Sequence, residues 1–82
     1  MKDLLLYIVK NIVSFPDDLK VEEEEQNNIV FLKLYVNKED MGKVIGKEGK
    51  IIKAIRTLLK VRAINEKKRV ELQLIEPESP AS

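Results

Sequence analysis

The stretch Lys50–Asn65 constrains this chain more than any other. At about 100° per residue, Val61, Ala54, Leu58, Ile51, Ile55, Leu59, Ile52 and Ala63 fall on a single helical arc of roughly 200°. A helix that lies on one sheet needs only about half of that arc. The remainder must meet another helix, supplied by this chain or by a second one. Arg62 falls inside the arc near the helix end, where it is expected to snorkel or to reach the last carbonyls. With 82 residues there is room for one core beneath such a helix, so a single domain is expected, its stability modest or shared with a partner.

The remaining periodicities supply what the helix would lie on. Leu4, Ile8 and Ile12, with Leu5, Val9 and Val13, make an apolar stripe that predicts a helix over 3–13, stopped by Pro16. Residues 29–36 form the best strand, with Val30, Leu32, Leu34 and Val36 on one face and Ile29, Phe31, Lys33 and Tyr35 on the other. Residues 19–26 are a poorer strand. Four consecutive glutamates at 22–25 suit only a solvated sheet edge that resists strand addition. They do not suit a metal site, because consecutive strand residues point to opposite faces. The pair Asn27-Asn28 between the two runs predicts an antiparallel hairpin.

Asn37 is an N-cap signal, and Asp40 three residues on resembles a capping box. A short helix with Met41, Val44 and Ile45 on its apolar side should follow, ended by Gly46. Asn65 is the expected left-handed terminator of the second helix of this pair. Val70, Leu72 and Leu74 alternate with Glu71, Gln73 and Ile75 in a last strand, and 77–82 is expected to be a disordered polar tail. The order is α-β-β-α-α-β over residues 1–76, an α+β two-layer domain with helices covering one face of a three-stranded sheet.

The chain has no Cys and no His, which removes disulfides, thiol nucleophiles, imidazole bases and Cys/His zinc sites. No enzyme activity and no cofactor are expected. There is no signal-peptide pattern and no apolar run near the roughly 20 residues that span a bilayer, so a soluble, cytoplasmic protein with no membrane partner is expected. Net charge is only +1, but it is unevenly spread. Residues 1–41 hold five basic and nine acidic residues, whereas 43–69 hold ten basic residues against Glu48 and Glu66. That segment is either a solvated helix face or an anion-binding face.

The segment Met41-Gly42-Lys43-Val44-Ile45-Gly46-Lys47-Glu48-Gly49-Lys50-Ile51-Ile52 favours the second reading. Bare Gly-x-x-Gly fits a tight helix–helix turn. Here it joins two helices after a strong strand, at the basic start of the longer helix. The glycines allow a nucleic-acid backbone to come close, and the free N–H groups of the second helix favour phosphate there. Lys43, Lys47, Lys50 and Lys53 add positive charge, and Ile45 and Ile52 offer an apolar wall for unstacked bases. Aromatics are only 5%, so Tyr7, Phe15, Phe31 and Tyr35 are read as core or rim residues rather than as a stacking platform.

The run 44–52 resembles the signature of KH domains, and the chain from Lys2 to Glu76 resembles the small stand-alone bacterial KhpA-type proteins. The resemblance rests also on Tyr7-Ile8-Val9-Lys10, on the run 39–46 and on Ala54-Ile55-Arg56-Thr57. It implies a type II KH fold. It implies single-stranded RNA as ligand, about four nucleotides held across the loop. It also implies a homodimer, a heterodimer with the larger KhpB (Jag) type of protein, or both, and a role as post-transcriptional regulator or RNA chaperone linked to cell elongation and division. Glu48 places negative charge in the loop, so RNA affinity is expected to be low and strongly salt-dependent. One rival is a protein–protein adaptor that keeps the fold without useful RNA affinity. A second rival is an enzyme or nucleotide-binding protein, but its P-loop likeness is faint, because three rather than four residues separate Gly42 from Gly46 and Glu48 stands where Ser or Thr is needed. Asp17-Asp18 read as solvated turn acids rather than as a catalytic pair.

Overall fold

The alternation that begins at Ile29 becomes the middle strand of a three-stranded sheet of order β1-β2-β3. In this computed structural model, which describes residues 1–76, β2 (Ile29–Tyr35) buries Val30, Leu32 and Leu34 and exposes Phe31 and Lys33. β1 (Lys20–Gln26) pairs antiparallel with it, Val21 opposite Leu34 and Gln26 opposite Ile29. Its four glutamates therefore lie on a sheet edge, as expected. Asn27 and Asn28 take φ of 51° and 65°, and two left-handed residues make the turn whose twist suits a two-residue hairpin. On the outer face Glu22 accepts a 2.6 Å hydrogen bond from the Tyr35 hydroxyl, which holds its carboxyl below the usual carboxylate range.

β3 (Arg69–Ile75) lies on the other side of β2 and runs parallel to it, with Val70 opposite Val30 and Leu72 opposite Leu32. A parallel neighbour requires a crossover, and two helices provide it: α2 (Met41–Ile45) and α3 (Lys50–Asn65). With α1 (Lys2–Lys10) they seal one face of the sheet. The core joins Leu5 and Val9 of α1, Val44 of α2 and Ile52, Ile55 and Leu59 of α3 to Val21, Val30, Leu32, Leu34 and Val36. The α-β-β-α-α-β order and the two-layer arrangement are those expected. The tail expected at 77–82 lies outside the described residues.

Two helix ends differ from expectation. α1 stops at Lys10 rather than Val13, because the amides of Ile12 and Val13 both turn back to the Val9 carbonyl, at 2.9 and 3.1 Å. α3 is not terminated by a left-handed Asn65. Lys67 takes that conformation, with φ of 59°, and the Lys68 N–H then reaches the Ala63 carbonyl at 2.8 Å while the Lys67 N–H bonds to Ile64. Two further residues are needed because the Arg69 N–H must meet the Asn28 carbonyl, 2.9 Å away, to set the register of β3. Arg62 is exposed, as snorkelling requires, and reaches no carbonyl. Its Nε donates to Glu66 at 2.7 Å.

A left-handed lysine carries strain that glycine avoids, partly offset by the greater unfolded-state freedom of glycine. Lys67→Gly should therefore raise stability by about 0.5 kcal/mol, read as a rise in denaturation midpoint at unchanged slope.

Candidate nucleic-acid interface

The site begins where β2 ends. Asn37 caps a single tight turn (Lys38–Asp40) by accepting the Glu39 N–H at 2.8 Å, as its side chain predicts. Asp40 does not complete a capping box. It is wholly buried, and its two carboxylate oxygens accept the N–H groups of Ser14 and Phe15 at 2.8 and 3.0 Å. The Lys43 ammonium lies 3.8 Å from Asp40 and hydrogen-bonds the Ser14 hydroxyl. Asn37 also donates to Asp18 at 2.8 Å. The start of α2 is thus tied to the corner that follows α1.

The Gly46 N–H closes α2 on the Gly42 carbonyl at 2.8 Å, and the chain then turns through three left-handed residues: Gly46 (φ 77°), Glu48 (57°) and Gly49 (73°). The two glycines are needed for different reasons. A Cβ on Gly46 would sit 2.2 Å from Cγ1 and 2.7 Å from Cβ of Ile51. A Cβ on Gly49 would meet nothing within 4 Å, so its outer side is open. Gly49 precedes α3 without a side-chain cap, and the first N–H of the helix, that of Lys50, turns back to the Lys47 carbonyl.

Of the residues singled out in the sequence, Lys47, Glu48, Lys50 and Lys53 are exposed around this opening, and Ile45 is part-exposed beside it in sequence. Among the described residues none of these three ammonium groups is engaged in an ion pair. Lys43 turns instead toward Ser14 and Asp40. Ile52 is only 8% exposed and is mainly a core residue, so most of the apolar wall assigned to it is covered. The aromatics Tyr7, Phe15 and Phe31 are exposed at the rim, and none is in the core.

α3 presents three different sides. Ile52, Ile55, Leu59 and Ala63 face the core. On one flank Lys53, Arg56 and Lys60 follow one another up the helix, and Arg56 Nη2 donates to the Leu72 carbonyl of β3 at 3.4 Å. A groove lies there between α3 and β3, lined by Arg56, Leu59, Lys60, Val70, Glu71 and Leu72. Toward the helix end it continues past Ala63, Ile64, Lys68 and Arg69. Lys68 shares its charge with Glu25 at 2.9 Å, which raises its pKa. The sequence signal for this groove was available in Arg56 and Lys60, one turn apart at the edge of the apolar arc. On the opposite flank Ile51, Leu58 and Val61 remain exposed, the last two by 51% and 54%. α1 does not cover them.

A family model described as KhpA/KhpB, KH domain, matches residues 2–74. The chain belongs to that KH-domain family. Curated relatives agree over nearly the whole length. A protein of Clostridium acetobutylicum named RNA-binding protein KhpA is 49% identical over 75 residues, 92% of this chain and all of the relative. Its namesake in Listeria monocytogenes is 46% identical over 76 residues, 93% of this chain and again all of the relative. That in Chlamydia pneumoniae is 45% identical over 76 residues. The parallel β2–β3 pair bridged by two helices is the sheet of a KH domain in its type II order.

The two loop glycines should respond unequally to alanine. Gly46→Ala should cost about 3 kcal/mol, combining left-handed strain with overlap against Ile51, whereas Gly49→Ala should cost about 1 kcal/mol from strain alone. Chemical denaturation of the two variants measures the difference.

Proposed function

We propose that this chain binds single-stranded RNA, with phosphates held at Gly46-Lys47-Glu48-Gly49 and bases laid along the groove between α3 and β3. The observation that carries this is the open side of Gly49, next to a helix start with no side-chain cap and flanked in sequence by the exposed Lys47, Lys50 and Lys53, which form no ion pair among the described residues. Backbone amides and a helix dipole at that point suit a phosphate, and the missing Cβ lets it approach. The KH loop in general clamps about four nucleotides. The names of the relatives support RNA as the ligand.

From the loop, Lys53, Arg56 and Lys60 lead along α3 to an apolar floor of Val70 and Leu72. Splayed bases would rest there and find the β3 backbone edge within reach. Glu48, exposed and left-handed in the loop, opposes phosphate and keeps affinity low. The function is binding, without a catalytic step, and serves post-transcriptional regulation or RNA chaperoning.

Gly49→Asp tests the site at a structural cost limited to left-handed strain of about 1 kcal/mol, because its side chain enters open space. Binding to a short single-stranded RNA should fall at least about tenfold while the fold persists. Wild-type affinity should fall as salt rises, and Lys47→Ala or Lys50→Ala should each flatten that slope by about 0.7. Equal affinity in wild type and Gly49→Asp would leave the adaptor reading as the better one.

The exposed flank of Ile51, Leu58 and Val61 supports a second element of the reading. This apolar strip, set away from the basic flank, is the surface on which a second copy or a KhpB-type protein would pack its own helix. Leu58→Asp should convert a dimer to a monomer in sedimentation velocity and leave the monomer folded.

A further inference from the structure

We propose that Asp40 is a positioning residue for the Gly46–Gly49 loop, and that Lys43 is its strut rather than a phosphate contact. α2 has five residues, too few to hold a helix by itself. Two things fix it in place. Val44 is sunk in the core, and Asp40 is buried at its first turn. The Asp40 carboxylate takes both amides of the Ser14-Phe15 corner, so an element 25 residues away in sequence sets where α2 begins. Its negative charge has no contact with water, and the Lys43 ammonium supplies the nearest compensation, 3.8 Å away and anchored on the Ser14 hydroxyl.

The position of Asp40 is passed to the loop through one short helix. Gly46 closes α2 on Gly42, and Gly46 itself is packed so closely against Ile51 that a methyl group would not fit. A shift of the α2 start therefore moves Gly46 against Ile51 in the first turn of α3. The same bonding explains Lys43. With its ammonium on Asp40 and Ser14, it points toward the α1 corner and away from Lys47 and Lys50.

The inference rests on the RNA-binding reading for its affinity consequences, but not for its effect on the loop. The variants are Asp40→Asn, which keeps the shape and removes the charge, Lys43→Met and Lys47→Met. Val21→Ala is a control, a core truncation on β1 that removes none of the hydrogen bonds of Asp40 or Lys43. Without RNA, the amide resonances of Gly46 and Gly49 and their hydrogen exchange should change in Asp40→Asn and not in Val21→Ala. With short single-stranded RNA, at a temperature where all variants are folded, Asp40→Asn should lose about tenfold in affinity while Val21→Ala stays within about twofold. Lys43→Met should leave the salt slope of binding unchanged, whereas Lys47→Met should reduce it by about 0.7. Loop amides that stay in place in Asp40→Asn would overturn the positioning role, and a slope reduced equally by Lys43→Met would overturn the strut. If the wild type binds no RNA, the functional reading fails and the loop resonances still decide the role of Asp40. Should Asp40→Asn not fold, Ser14→Ala removes only the hydroxyl anchor of Lys43, and a smaller loop shift in the same amides is expected.

Discussion

The parallel pairing of β3 with β2 is the constraint on which the candidate site depends. Two antiparallel strands are joined by Asn27-Asn28 alone, but a parallel neighbour obliges the chain to return the full length of the sheet before it pairs. A single straight helix would make that return without a break. Here the return is divided into α2 and α3, and the division falls at Gly46–Gly49. The break leaves a helix start free of side-chain caps at the surface, with left-handed backbone on one side and lysines on the other. The opening is thus a by-product of the topology, kept open by the absence of a Cβ at Gly49 and held in shape by the packing of Gly46 on Ile51.

α3 separates three tasks by angle. Its buried face closes the core, its basic flank borders the groove with β3, and its apolar flank is left bare. Because the two flanks are on opposite sides of the buried face, a helix that packs on Leu58 and Val61 need not cover Arg56 or Lys60. The proposed RNA groove and the proposed partner face are therefore separate surfaces, and the wide apolar arc does not compete with the basic one.

Most of the element order was legible in the sequence, because burial on one face imposes a period and turns demand particular residues. The strand 29–36, the Asn-Asn turn, the acidic edge and the Gly-x-x-Gly junction all carry such local signals. Asp40 did not, because its partners are backbone amides at Ser14 and Phe15, and amides have no identity in a sequence. Its spacing from Asn37 suggested a local cap, and a tertiary bond took precedence. The left-handed residue that terminates α3 was misassigned for a similar reason, although the helix ends at Asn65 as expected. Asn65 has the better left-handed propensity, but the register of β3 on Asn28 decided for Lys67. Within the candidate site, Lys47, Glu48, Gly49, Lys50 and Lys53 were found from motif and charge. The β3 wall of the groove was not, since nothing in the alternation of Val70 and Leu72 says which helix they will face.

The acidic run of β1 has a consequence for how a polyanion arrives. β1 and β3 are opposite edges of the sheet, with Glu22 to Glu25 on one and the basic side of α3 bordering the other. A protein of nearly zero net charge is thereby a dipole. Its long-range monopole attraction to a nucleic acid is negligible, yet its field turns the molecule so that the basic flank leads and the glutamates trail. Encounters are then oriented before contact, and screening of this steering beyond a Debye length of about 8 Å at physiological ionic strength confines it to the last steps of approach.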